Sequence, residues 1–270
     1  MLSMAGEIQQ PLPAPEVVLI GLLAAVVVIV RTLWQITTHA ETVVHESAHL
    51  VAGTLTGRKI LSVKINTDGG GATKMVPPSG FGYGVAAFVG YIGSSTAGLI
   101  AAELISTGRM VAVLYLGLVL FAIVLLSVRN IFGAIVILTC GTLLYLVVRD
   151  GTAGVDTAVA YGVTWFLLIS GTRVALGIIR TPKDIQDAGV LAGMTFIFRW
   201  VWCCLWLIGT IAALAIGGAI LTHALCGIRI GFHGFQDVSV AAGHLPGRNA
   251  VTTANRRGRG KPGIVCPFPS

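Results

Sequence analysis

The chain has 270 residues, of which 55% are hydrophobic and only 11% are charged. Its mean hydropathy of +0.87 excludes an ordinary soluble globular protein, because such proteins carry charge on about a quarter of their residues. The net charge of +7 would suggest nucleic-acid binding in a soluble chain, but the basic residues lie mainly in loops and in the C-terminal tail. That distribution is typical of membrane proteins. We therefore expect a polytopic protein of the lipid bilayer that does not bind nucleic acid.

Long hydrophobic runs predict an all-α membrane protein with about seven transmembrane helices. We expect residues 1–15, which contain three prolines, to form a flexible N-terminal arm. The membrane domain follows over residues 16–226, and residues 227–270 have the composition of a disordered basic tail. The predicted spans are 17–30 (extending towards Trp34), 36–55, 84–105, 111–128, 131–148, 155–179 and 199–224.

The segment after the second span changes to the alternating pattern of β-strands. Residues 60–65 alternate between apolar and polar side chains, residues 68–71 supply a turn, and residues 72–76 can return as a second strand. We therefore expect a β-hairpin over about residues 58–77. Its free edge would be able to accept an extended peptide by strand addition, and a plain connecting hairpin is an equally good interpretation.

The second predicted span contains His45-Glu46-Ser47-Ala48-His49. Because residues four apart share one face of a helix, His45 and His49 can bind one metal ion. Two imidazoles suit zinc, which in catalytic sites takes three protein ligands and leaves one position open. Glu46 projects beside them and can accept a proton from water that the metal activates. Ionisable residues are costly inside a bilayer, which favours this interpretation over two interfacial histidines with a capping glutamate.

The third ligand must come from another part of the chain. With seven spans, the loop before the last span lies on the side of the membrane towards which the second span runs, and Asp187 begins on that side. Asp150 flanks the turn into the sixth span, on the opposite side. We therefore favour Asp187 over Asp150, with a helix cap as the other role open to Asp187. Asn130, between two apolar spans, either hydrogen-bonds a substrate strand or caps a helix at the interface.

These motifs resemble the site-2-protease family of intramembrane zinc metalloproteases. Within that family the chain is similar to the shorter bacterial members described as B-type peptidase-like membrane proteins. The likeness rests on residues 44–57 with the following hairpin, on Val128-Arg129-Asn130-Ile131-Phe132-Gly133, and on Asp187-Ala188 with Leu191-Ala192, Thr195 and Trp200. Better-known members carry an Asn-Pro-Asp-Gly-like segment that supplies the aspartate ligand. This sequence lacks that segment, and it has no PDZ-like soluble insert.

The resemblance implies a multi-pass protein of the bacterial plasma membrane that cuts membrane-embedded or membrane-proximal peptides. In that role His45 and His49 bind Zn²⁺, and Glu46 is the base. Two other functions are compatible with the sequence: a non-enzymatic relative that keeps the fold and binds a membrane partner or a metal, and a transporter. The transporter is the weakest of the three, because the charges do not cluster in discontinuous helices and no inverted repeat appears.

Overall fold

The computed structural model describes residues 9–180 and 187–222. Most of the predicted N-terminal arm and the whole predicted basic tail lie outside these residues. The described chain is mostly helical, with one small sheet. Its elements are α1 (Ala14–Ile29), α2 (Arg31–Leu55), β1 (Lys59–Ile65), β2 (Gly71–Val76), α3 (Phe81–Ser106), α4 (Met110–Ser127), α5 (Ile131–Asp150), α6 (Ala153–Arg180), α7 (Asp187–Thr195) and α8 (Arg199–Leu221).

Five of the described helices are long and apolar enough to cross a bilayer, namely α3, α4, α5, α6 and α8. They correspond to the last five predicted spans. Their outer faces carry exposed large apolar side chains, among them Leu126, Ile131 and Ile208, which is the surface that hydrocarbon requires. The chain is therefore a multi-pass membrane protein, and the predicted helical fold class is confirmed.

The first two predicted spans form a bent pair instead of two separate crossings. α1 and α2 are long and apolar enough to cross only when taken together, and they meet at 97°. α1 has 16 residues, roughly 24 Å of helix, which is shorter than a hydrocarbon core of about 30 Å. α2 is longer but has polar residues throughout. The described residues thus contain five candidate spans, or six with the bent pair, where the sequence predicted about seven.

An arginine from α6 holds the bend between α1 and α2. Nη1 of Arg173 donates to the carbonyl oxygens of Val28 and Ile29, and its guanidinium lies 4.6 Å from the centre of the Trp34 ring. The last carbonyls of a helix have no intrahelical donor, and leaving them unpaired away from water is costly. Arg173 therefore satisfies the end of α1 at the point where the chain turns into α2.

β1 and β2 form an antiparallel hairpin, as predicted over residues 58–77. Its inner face rests on α2. The hydroxyl of Thr42 donates to the carbonyl of Gly69 over 2.6 Å, and the buried side chain of Met75 packs beside Gly53. The hairpin is thus held against α2 both at its turn and at the far end of β2.

The outer edge of β1 is covered by the segment that leads into α5. The N–H of Arg129 donates to the carbonyl of Val63 over 2.9 Å, and Val63 forms a parallel bridge with Val128. The side-chain amide of Asn130 accepts from the N–H of Ile65 over 3.2 Å and donates to its carbonyl over 2.7 Å. Among the described residues, the free edge predicted for the hairpin is therefore the edge of β2.

α3 lies at the centre of the bundle and packs against α2, α6 and α8. Glycines allow these close approaches. A Cβ atom on Gly90 would meet the ring of His49 on α2, and one on Gly98 would meet the side chain of Leu168 on α6. α3 therefore connects α2, the helix that carries the His-Glu-x-x-His motif, to α6 and α8 through close packing.

Candidate metal centre

His45, His49 and Asp187 converge at one point, although α2 and α7 are far apart in the sequence. The Nε2 atoms of His45 and His49 are 3.1 Å apart. Oδ2 of Asp187 lies 3.6 Å from the first and 3.1 Å from the second. In a tetrahedral zinc site with bonds of about 2.0–2.1 Å, two ligand atoms stand roughly 3.3 Å apart. The three donor atoms therefore have the spacing of one face of a zinc tetrahedron.

Neighbouring helices fix the orientation of both imidazoles. Nδ1 of His49 lies 2.8 Å from the carbonyl oxygen of Ala86 on α3. Nδ1 therefore donates to this carbonyl, and Nε2 is the ring nitrogen that faces His45 and the aspartate and can bind a metal ion. The ring of His45 packs edge-on against Tyr91, with 4.7 Å between the ring centres, and Tyr91 stacks on Trp206 of α8 at 4.6 Å. Residues of α3 and α8 thus support the two ligands that α2 supplies.

Asp187 is the first residue of α7 and is partly buried. Burial by itself raises the pKa of its carboxyl group, but the charges and hydrogen bonds of His49 and His45 lower that pKa below its ordinary value. The ionised carboxylate that results is the form that binds metal. Asp150 is exposed at the end of α5 and pairs with Arg149 over 3.0 Å. The structure therefore brings Asp187 to the two histidines and leaves Asp150 outside.

Glu46 lines the same cavity as His45, His49 and Asp187 and is buried, with 3% of its surface exposed. The hydroxyl of Thr73 on β2 donates to Oε2 of Glu46 over 2.6 Å. The backbone of Gly71 passes so close that a Cβ atom there would lie 2.7 Å from Cγ and 2.8 Å from Cδ of Glu46. The carboxylate is thus enclosed between α2 and β2.

A second buried carboxylate lies one helical turn before His45. Glu41 is 4% exposed, and its Oε1 accepts a hydrogen bond of 2.8 Å from the hydroxyl of Ser94 on α3. The spacing of four residues from His45 places Glu41 on this helix face, so the sequence contains a signal for this residue. Thr73 and Tyr91 have no comparable local signal, because only the tertiary fold brings them to the site.

A cavity of about 390 Å³ opens over these groups. α2 contributes its polar face to the wall, and β2 contributes Gly71, Ala72, Thr73 and Met75. α3 contributes Tyr83, Ala87 and Tyr91, and Val174 of α6 lies in the wall with Asp187 and Val190 of α7. Asn130 is not among the described residues that line this cavity. Its side chain is paired with Ile65 at the other edge of the hairpin, and a role for Asn130 in binding substrate stays a prediction.

A comparison with known protein families agrees with this geometry. The family described as Peptidase M50B-like matches residues 18–217, which is most of the chain. The chain belongs to the Peptidase M50B-like family. This confirms the resemblance to the site-2 proteases. No curated protein and no solved structure matches the chain.

The part of the chain that matches the M50B-like family contains every group of the candidate centre. It includes the His-Glu-x-x-His helix, the hairpin and Asp187. The M50B-like region thus coincides with the described membrane bundle and ends inside α8. The donor set of two imidazoles and one carboxylate suits zinc, and its spacing fits a tetrahedral ion.

Proposed function

We propose that this M50B-like protein is an intramembrane zinc metalloendopeptidase that hydrolyses peptide bonds of membrane-embedded or membrane-proximal substrates. One observation carries the proposal. His45, His49 and Asp187 place three donor atoms within bonding reach of a single ion, with the carboxylate of Glu46 beside them in a bundle of membrane helices. A site built only to support the fold has no need of an acidic group next to three metal ligands.

Each residue has a distinct role in this proposal. His45, His49 and Asp187 hold the metal. Zinc, when bound, supplies Lewis-acid polarisation of a carbonyl and brings the pKa of water close to neutrality. Glu46 accepts a proton from the attacking water and returns it to the nitrogen of the leaving amine. Its burial excludes competing bulk water from the carboxylate.

The edge of β2 supports an extended peptide as the substrate. Four residues of β2 line the cavity, and among the described residues no strand pairs with the second edge of β2. An extended chain can add to such an edge through main-chain hydrogen bonds. A helical segment uses the same N–H and C=O groups within its own turns. The preferred substrates therefore contain a segment that unwinds readily within or close to the bilayer.

Substitution of the base tests the chemistry. The purified protein in detergent would be incubated with a pool of fluorophore–quencher-labelled single-span peptides of randomised sequence. We expect wild type and the matched control Glu103→Gln, an exposed glutamate at the end of α3, to cleave the pool. We expect Glu46→Gln to bind zinc as wild type does and to lose cleavage by at least about 100-fold. Cleavage by Glu46→Gln at the wild-type rate would exclude this base.

Substitution of the aspartates tests the metal site separately. Wild type is expected to contain about one zinc ion per chain, measured by elemental analysis. Asp187→Ala should lose most of that zinc, and Asp150→Ala should retain it, because Asp150 lies outside the centre. Equal zinc content in the two variants would refute Asp187 as a ligand. A wild-type protein that binds zinc and cleaves no peptide would instead support the non-enzymatic relative.

A further inference from the structure

The side chains of β2 that point inwards meet α2 at the proposed base. Oγ1 of Thr73 lies 2.6 Å from Oε2 of Glu46 and 3.4 Å from the main-chain oxygen of the same residue. A hydroxyl has one proton, and the shorter, charge-assisted contact to the carboxylate takes it. Two residues earlier on the same strand, Gly71 lies against the Glu46 side chain, where a Cβ atom would be within 2.8 Å of Cδ.

We propose that β2 is the positioning element for the general base, and that Thr73 is its positioning residue. This inference rests on the proposed function. A glutamate side chain has three rotatable bonds, whereas proton transfer requires its oxygen to be placed within about 0.5 Å of the productive geometry. The hydroxyl of Thr73 fixes Oε2, and the backbone of Gly71 limits the swing of the carboxyl group. Oε1 is the atom of Glu46 nearest to the Cβ position of Gly71, and in this proposal it is the oxygen that accepts the proton.

The hairpin is anchored well enough to serve as such a platform. At its turn, the carbonyl of Gly69 accepts a hydrogen bond of 2.6 Å from Thr42. Beyond Thr73, the buried side chain of Met75 packs beside Gly53. On the far side, Asn130 is paired with the main chain of β1. β2 is therefore anchored at both ends, and its partner strand β1 is fixed by Asn130. A shift of β2 away from α2 would break at least one of these contacts.

In this proposal the side chain of Thr73 positions Glu46, whereas the outer edge of β2 binds the substrate. The hydroxyl points at Glu46 from the inner face of β2. A substrate strand would instead pair with main-chain groups along the edge of β2 that faces away from β1. Removal of the hydroxyl is therefore expected to lower kcat and to leave KM nearly unchanged. A residue that served only to stabilise the hairpin would affect the amount of folded protein, and a residue in the substrate groove would affect KM.

The test uses full-length protein in detergent, with the peptide from the randomised pool that wild type cleaves fastest. The isosteric change Thr73→Val should lower kcat about tenfold to 100-fold, with KM and zinc content within twofold of wild type. Thr73→Ser, which restores the hydroxyl, should recover most of the activity. The matched control Thr96→Val, an exposed threonine of α3 whose hydroxyl bonds within its own helix, should behave as wild type.

Full activity of Thr73→Val, or a Thr73→Ser enzyme as slow as Thr73→Val, would overturn the inference. A second measurement does not depend on activity. The thermal unfolding temperatures of Thr73→Val, Glu46→Ala and the double variant form a cycle, and a direct contact predicts that the double variant loses less than the sum of the single losses. Strict additivity would also overturn the inference. If wild type cleaves no peptide, the proposed function fails and the cycle still decides whether Thr73 holds Glu46.

Discussion

A methyl group on α3 is expected to displace His49, one of the proposed zinc ligands. In Gly90→Ala, the new Cβ atom would lie 2.5 Å from Nε2 of His49 and 3.0 Å from Nδ1. Ordinary contacts of a Cβ atom begin near 3.4 Å, so the ring must move by about 1 Å. It has little freedom to do so, because Nδ1 is held 2.8 Å from the carbonyl of Ala86 on the same helix. The change therefore acts on the donor nitrogen itself.

The size of the effect follows from the geometry of the ligands. The donor atoms stand 3.1–3.6 Å apart, close to the edge of a zinc tetrahedron. A displacement of about 1 Å destroys that match for one ligand of three. Substitution of groups that merely orient a zinc ligand weakens metal affinity by about 10- to 100-fold. We expect Gly90→Ala to weaken zinc binding by at least this factor, or about 1.4–2.8 kcal/mol.

The assay is a competition titration of zinc between the purified protein and a chromophoric chelator. Gly98→Ala is the matched control, because it lies on the same helix and its Cβ atom would be 2.9 Å from the side chain of Leu168 on α6. Both substitutions crowd a helix interface, but only Gly90→Ala does so at a ligand. Equal zinc affinities for the two variants would refute the reasoning that the α2–α3 contact sets the position of His49.

Three further predictions concern the supports of the site and the metal itself. Asn130→Ala leaves the N–H and C=O of the fully buried Ile65 without their partner. It should lower the free energy of unfolding by about 1–3 kcal/mol per unpaired group, with zinc content unchanged, and an unaltered unfolding temperature would contradict this. Arg173→Met removes the donor to the carbonyls of Val28 and Ile29; it should lower the thermal unfolding temperature in detergent, and a wild-type temperature would show that the bend holds without it. Dialysis against a zinc chelator should abolish cleavage, and zinc but not magnesium should restore it, because two imidazole ligands disfavour the harder ion.

Features that depend on short-range spacing were predictable from the sequence. The separation of four residues between His45 and His49 determines that they share a helix face. The alternation in residues 60–65 and the glycines that follow it predict the hairpin. Hydrophobic runs of sufficient length predict the membrane helices. Each of these inferences uses residues within one element, where backbone geometry dictates the relation between side chains.

Features that depend on how the elements pack were harder to predict from the sequence. The sequence favours Asp187 only through a count of membrane crossings, and the first two of those crossings are a bent helix pair in the structure. The structure brings Asp187 near His49 by a different route, because α7 and α2 both pack against α3. The contacts of Thr73 with Glu46 and of Gly90 with His49 join residues that are 27 and 41 positions apart. No periodicity within a single helix or strand encodes contacts of this kind.

The right-angled turn between the first two helices has an implication for hydration. Every peptide bond that is hydrolysed consumes a water molecule, and hydrocarbon does not supply one. A straight apolar span could not present hydroxyls and carboxylates to the interior, whereas a helix that starts at the turn does so with Thr38, Glu41 and Thr42, all of which line the cavity. These side chains make the wall of the cavity polar from Thr38 to the histidines. In the proposed reaction, water would be held against this wall, and the scissile segment would move to the water.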